Sequence, residues 1–134
     1  MTDFLIDTHV LLWYLFNSSQ LSIGLKKVLR SSDNRVLVSA ISFWEIAIKY
    51  GNGKLKLSGH TPESLLDSCK KVDFQIIDLE NKLVLSSHLL SADYHKDPFD
   101  RLLIWQAINN NYVLITNDQT IHLYESAGLK TLWI

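Results

Sequence analysis

Four acids stand out by type and setting: Asp7 in FLID, Glu45 in SFWEIAIK, Asp100 in DPFDRLL and Asp118 in ITND. Carboxylates a few ångströms apart raise one another's pKa values unless a cation neutralises them. A hard divalent ion meets that need. An oxygen-only donor set favours Mg²⁺ or Mn²⁺ over zinc, which prefers His and Cys. Such an ion keeps some of its waters, can activate one as a nucleophile and can clamp a phosphate oxygen. If the four acids converge, phosphodiester or phosphoryl chemistry follows.

Convergence depends on the elements that carry the acids. Phe4 to Ile6 is a short apolar strand ending at Asp7, followed by helical patterns over Thr8 to Phe16 and Ile23 to Arg30. Val36 to Val38 is the next strand. Ser42 to Tyr50 has apolar residues at helical spacing and stops at Gly51-Asn52-Gly53. Thr61-Pro62-Glu63 opens a helix running to about Lys71. Phe74 to Leu79 is β-like and Asn81 to Leu90 helical. Asp97-Pro98 opens a helix to about Asn109, Tyr112 to Thr116 is a strand, and a short helix near Thr120 to Ser126 follows. Gly128 precedes a last strand, Lys130 to Ile134. Apolar strands separated by helices predict a three-layer α/β/α sandwich with a mainly parallel central sheet, one domain over residues 1–134. Sites in such sheets lie beyond the carboxyl ends of the strands. Asp7 and Asp118 sit at such ends, and Glu45 and Asp100 lie about one turn into helices that point at the same edge.

Each acid also has a plainer role. Ser42-Phe43-Trp44-Glu45 reads as a capping box. Asp97, before Pro98, is well placed as an N-cap. Asp100 suits the positive end of a helix dipole, and Asp118 a turn. Asp7 could be an N-cap, although aspartate is depleted in strands. Only the joint placement separates chemistry from capping.

The chain has 134 residues, is 47% apolar and 20% charged, and carries a net charge of −1. Nothing overall draws it to polyanions, so nucleic acid would have to meet a local basic patch. Lys49, Lys54 and Lys56 around Gly51 and Gly53, and Arg101 beside Asp100, are the candidates for RNA phosphates; a solvated helix end is the alternative. The lone Cys69 points to a packing role and a reducing compartment. The apolar N-terminus lacks the basic flank of a signal peptide, and no apolar run reaches the roughly 20 residues of a membrane span. A cytoplasmic protein with no membrane contact is expected. No histidine pair has metal-ligand spacing, so surface or packing roles are expected for all five, although His9 and His95 adjoin the acids. Trp13, Trp44 and Trp105 are read as packing residues. The polar stretch from Leu55 to Glu63 is read as a mobile connection.

Four stretches in order, LIDTHVLLWYL, VSAISFWEIAIKYGNGKL, HKDPFDRLLIWQA and LITND, resemble the PIN-domain ribonucleases, and among these the VapC-type toxins of bacterial toxin–antitoxin pairs. The resemblance spans essentially the whole chain. It implies a PIN-like sandwich and a Mg²⁺- or Mn²⁺-dependent endoribonuclease leaving a 5′-phosphate and a 3′-hydroxyl. It also implies a homodimer and a small cognate antitoxin. Residue by residue, it carries a metal-binding role to Asp7, Glu45, Asp100 and Asp118 and a supporting role to Thr116. Asp97 is left as a cap or an outer-shell acid. Two other classes compete. A phosphotransfer or phosphatase domain would use Asp7 as acceptor, but the phosphatase pattern wants an acid where His9 stands. A non-catalytic α/β binding module would use the acids only as caps.

Overall fold

The computed structural model describes residues 1–91 and 93–134. The chain builds five strands, β1 (Thr2–Ile6), β2 (Asn34–Ser39), β3 (Gln75–Ile77), β4 (Val113–Ile115) and β5 (Lys130–Leu132). Seven α-helices connect them among the described residues: α1 (Thr8–Leu15), α2 (Ile23–Arg30), α3 (Ala40–Gly51), α4 (Pro62–Lys71), α5 (Asn81–Ser86), α6 (Pro98–Asn110) and α7 (Gln119–His122). Short 3₁₀ segments follow α5 at Ser87–Leu89 and α7 at Leu123–Ala127.

All strand pairs are parallel and the sheet order is β3-β2-β1-β4-β5. Parallel sheets need both faces covered, and alternation along the strands does this here. Phe4, Ile6, Val36, Val38 and Ile115 enter one core with Val10, Leu11, Leu25 and Leu65 from α1, α2 and α4. Leu5, Leu37 and Leu114 enter the other, with Leu103, Ile104 and Ala107 of α6 and with Tyr124. These are the three layers expected. At the amino edge the β1–β2 register is marked by Asp3 opposite Arg35, joined by two hydrogen bonds of 2.7 Å.

The strand order reverses at β1. The chain proceeds outward through β2 and β3, then returns to place β4 and β5 on the other side. Beyond the carboxyl ends of β1 and β4 the connections diverge, and a crevice opens there by topology. Asp7 N–H continues the ladder to Ile115 O at 3.2 Å, so the end of β1 is tied to β4 right below that crevice.

Several local expectations change. The helix carrying Glu45 begins at Ala40, with Ser39 as its N-cap accepting from Ile41 N–H, so Ser42-Phe43-Trp44-Glu45 forms no capping box. Ser42 is inside the helix and buried. The reason is that β2 runs on through Val38 to Ser39 and the serine at the strand's end takes the cap. The stretch from Leu55 to Glu63 is pinned by Leu57, 2% exposed in the first core, and so is not an unanchored connection. Trp44 is 59% exposed, edge-on to Phe99 at 5.0 Å, rather than packed in the core. Cys69 is buried, as expected, and burial pushes its thiol up to about 11.

Leu5 lies in the middle strand and is fully buried. Leu5→Ala is expected to cost about 3 kcal/mol of unfolding free energy, measurable by urea denaturation, because the flanking strands cannot collapse into the void.

Candidate active site

The crevice has a volume of about 300 Å³, and its walls include Asp7, Glu45, Asp97, Asp100 and Asp118. The four sequence-predicted acids therefore do line one space, and Asp97 joins them. Thr8, His9, Trp13, Lys49, Asn117 and Ile121 complete the lining. A larger depression, of about 600 Å³ between β3, α5 and α6, holds none of these acids.

Three of the acids are positioned by the start of a helix. Asp7 caps α1, its Oδ1 accepting from Val10 N–H at 2.9 Å. Asp97 caps α6, accepting from Phe99 N–H at 2.8 Å and Asp100 N–H at 3.3 Å. Asp118 caps α7, accepting from Thr120 N–H at 2.8 Å and Ile121 N–H at 3.3 Å, while its own N–H donates to Thr116 Oγ1 at 3.1 Å. Capping and lining the crevice thus fall to the same side chains. A cap carboxylate has oxygens to spare, and a helix N-terminus favours negative charge.

Glu45 is held differently. Thr8 Oγ1 donates to its Oε1 at 2.6 Å, and Lys49, one turn on, forms an ion pair with its Oε2. That hydrogen bond raises the Lys49 pKa, so the ammonium stays charged. Asp7 and Glu45 are 6% and 5% exposed, a depth at which an unpaired carboxylate is costly.

The electrostatics follow from this crowding. Burial raises the pKa of Asp7, against the opposing hydrogen bonds of Thr116 and Val10 N–H. Asp100 is pushed up to about 7, first by burial and then by the charge of Asp97, with Glu45 and Asp7 adding to it. Asp118 goes the other way. Burial alone would raise it, but the His95 hydrogen bond and the amides of Ile121 and Thr120 outweigh burial and hold it below the ordinary range. His95, expected on the surface or in packing, instead places Nε2 at 3.0 Å from Asp100 Oδ2 and 3.1 Å from Asp118 Oδ2. No spacing rule exposes this residue, because a loop and not a helix face carries it. Thr8 was also missed; its hydroxyl reaches a partner 37 residues away.

The basic candidates part company. Lys49 lines the crevice. Lys54 is exposed in the turn after α3 and is not among the lining residues. Arg101 points its guanidinium inward, donating to Leu90 O at 2.9 Å, Tyr124 Oη at 3.0 Å and His95 O at 3.3 Å. It braces the segment that carries His95.

The donor set fits a hard divalent cation. Five carboxylates share a small space, burial raises the pKa values of Asp7 and Asp100, and neighbouring negative charge adds to the rise, most of all at Asp100. Ligand atoms of Asp100, Asp118 and His95 lie within 4.8 Å of one another, close enough to share an ion, and Asp7 and Glu45 line the same space.

The sequence pattern of the PIN domain matches residues 4–126. The chain belongs to the PIN domain family. Over 133 residues this PIN domain is 24% identical to Ribonuclease VapC22 of Mycobacterium tuberculosis (strain ATCC 25618 / H37Rv), covering 99% of this chain and all of that protein. Its fold is shared with VapBC2 from Rickettsia felis, solved bound to a DNA fragment from their promoter, at a TM-score of 0.70, 20% identity and 98% coverage of both chains. It is also shared with VapBC-1 from nontypeable Haemophilus influenzae, at a TM-score of 0.66 and 16% identity, with 98% of this chain and 97% of that one covered.

A folded-state pKa of about 7 for Asp100, against an ordinary 3.8, means that the folded PIN domain binds this proton more tightly than the unfolded chain. Its contribution to stability is complete below pH 3.8 and is lost as pH rises through about 7. Urea denaturation in a chelating buffer at pH 5 and pH 8 is therefore expected to show a drop in stability that Asp100→Asn reduces by about 2 kcal/mol. An unchanged drop in the variant would show that other groups carry it.

Proposed function

We propose that this PIN domain is a Mg²⁺- or Mn²⁺-dependent endoribonuclease and acts as the toxin of a toxin–antitoxin pair. One observation carries the reading: acids from four separate stretches of sequence line one crevice at the carboxyl edge of the sheet. Full-length likeness to a named VapC ribonuclease supports it.

Asp7, Glu45, Asp100 and Asp118 would hold the cation, with Asp97 behind them as the cap that orients α6. The chemistry a bound Mg²⁺ or Mn²⁺ supplies is activation of water and neutralisation of charge developing at a phosphate. The remaining work belongs to the chain. Thr8 and Lys49 fix both oxygens of Glu45, so that carboxylate enters the reaction in one orientation. Thr116 supports Asp7 and Asp118 together, bonding the side chain of one and accepting from the backbone of the other. Lys49 is the cation at hand for a phosphodiester oxygen, and Lys54 is the nearest exposed basic residue along the chain.

The reading extends to partners. Structures of VapBC assemblies among the fold's relatives favour a small antitoxin as partner. Apolar side chains left exposed at Val84, Leu85 and Leu89, on α5 and the turn after it, favour a homodimer. No helix among the described residues is long and apolar enough to cross a membrane, which accords with a cytoplasmic location.

The test is cleavage of single-stranded RNA by the purified chain with Mg²⁺ or Mn²⁺. Wild type is expected to cut; Asp7→Asn and Asp100→Asn are expected to be slower by about a thousandfold while keeping native circular dichroism. Mn²⁺ is also expected to raise the wild-type Tm, and less so that of Asp100→Asn, because a ligand of the folded state stabilises it. Wild-type cleavage rates in Asp7→Asn would remove Asp7 from the mechanism. Absence of any Mn²⁺ effect would favour a module whose acids only cap helices.

A further inference from the structure

His95 lies against two of the crevice acids, Asp100 and Asp118, and its chemistry there admits two opposite roles. Its Nε2, an Asp100 oxygen and an Asp118 oxygen lie within 4.8 Å of one another, close enough to share an ion. An imidazole nitrogen is a familiar ligand for transition metals. In that role His95 would tilt the site from Mg²⁺ towards Mn²⁺.

The hydrogen bonds around the ring decide against that role. Asp97 N–H donates to His95 Nδ1 at 3.2 Å. A backbone amide can only donate, so Nδ1 presents its lone pair and carries no proton. The ring proton then resides on Nε2, the atom facing Asp100 Oδ2 and Asp118 Oδ2 at 3.0 and 3.1 Å. Two carboxylate oxygens around one nitrogen are the surroundings of an N–H donor. A nitrogen that bears a proton has no lone pair for a metal.

The backbone around the ring is fixed independently. His95 N–H donates to Tyr124 Oη at 3.0 Å, and its carbonyl accepts from Arg101 at 3.3 Å. Tyr124 is fully buried. The main chain is therefore anchored apart from the ring, and a turn of the imidazole about its side-chain bonds breaks only the contacts of its two nitrogens.

We propose that His95 acts towards a divalent ion as a competing hydrogen-bond donor, not as a ligand: its Nε2–H fills the gap between the Asp100 and Asp118 carboxylates that the ion must enter. This rests on the metal-dependent reading of the site above. An ion that seats on Asp100 and Asp118 has to replace two charge-assisted hydrogen bonds, and the imidazole turns aside on its anchored backbone. His95 thereby sets a threshold of ion concentration, and it keeps two like charges apart by giving each a share of one proton.

The two roles predict opposite signs. His95→Phe keeps a ring and removes the N–H. Isothermal titration of the full-length protein with Mn²⁺ is expected to show binding tightened roughly tenfold in this variant, since two charge-assisted bonds no longer compete. His95→Ala is expected to tighten it in the same direction and serves if the larger ring misfolds, with circular dichroism checking both. Electron-spin-echo spectra of wild type loaded with Mn²⁺ are expected to lack the modulation of a directly bonded ¹⁴N. Weaker binding in the variants, with ¹⁴N modulation in wild type, would make His95 a ligand and overturn the proposal. Unchanged affinity in both variants would overturn it as well. Failure of wild type to bind Mn²⁺ at all would instead sink the metal-dependent reading, and this proposal with it.

Discussion

Carboxylates crowded into one crevice repel one another, and the fold depends on how that repulsion is contained. Helix starts do most of it. Asp7, Asp97 and Asp118 each accept from free amides at the first turn of a helix, α1, α6 and α7 respectively. These amides would need partners in any case, since the first four N–H groups of a helix have none within it. The acids satisfy the helices, and the positive ends of the helices offset the acids. The helix starts thereby relieve part of the repulsion. Glu45 and Asp100 cap no helix: a neighbouring hydroxyl and an ammonium hold Glu45, and His95 Nε2 lies against Asp100.

The sheet explains why these helix starts meet. A parallel strand must be followed by a crossover, and the crossover's first turn lies at the strand's carboxyl end. With β1 in the middle and the direction of winding reversed beside it, the helix starts after β1 and β4 flank one gap. Helix α6 begins at the same edge because it must run back down to deliver β4. Asn111 ends it in a left-handed conformation, φ 59°, which turns the chain directly into that strand.

Much of this was legible in the sequence. Apolar strand runs, the Thr61-Pro62 and Asp97-Pro98 helix starts and the stop at Gly51 mark the elements, because each rests on local backbone chemistry. The acids were legible because an aspartate closing an apolar strand is unusual, and three more at similar edges form a pattern. Capping and metal binding read as alternatives in the sequence; in three dimensions the same side chains cap helices and line the crevice. The start of α3 was misread because Ser39 and Ser42 are both good caps, and the extent of β2 decides between them. His95 and Thr8 were illegible for a plainer reason. Of the two acids His95 meets, Asp118 is 23 residues distant, and the partner of Thr8 is 37 residues distant; no period links a loop histidine or a first-turn threonine to them. Arg101 looked like a surface cation because its inward turn depends on Tyr124, a side chain 23 residues further along.

That inward turn of Arg101 has a mechanical consequence. Arg101 follows Asp100 on α6, and its guanidinium grips the carbonyls of Leu90 and His95. The loop carrying His95 is thus suspended from the same helix that carries Asp100. His95 and Asp100 thus share one support, the first turns of α6. Asp118 rides on a different support, the start of α7 beyond β4. Tyr124, just after α7, joins the two supports by bonding both His95 and Arg101, so the walls of the crevice are fastened to each other behind the acids as well as through the sheet.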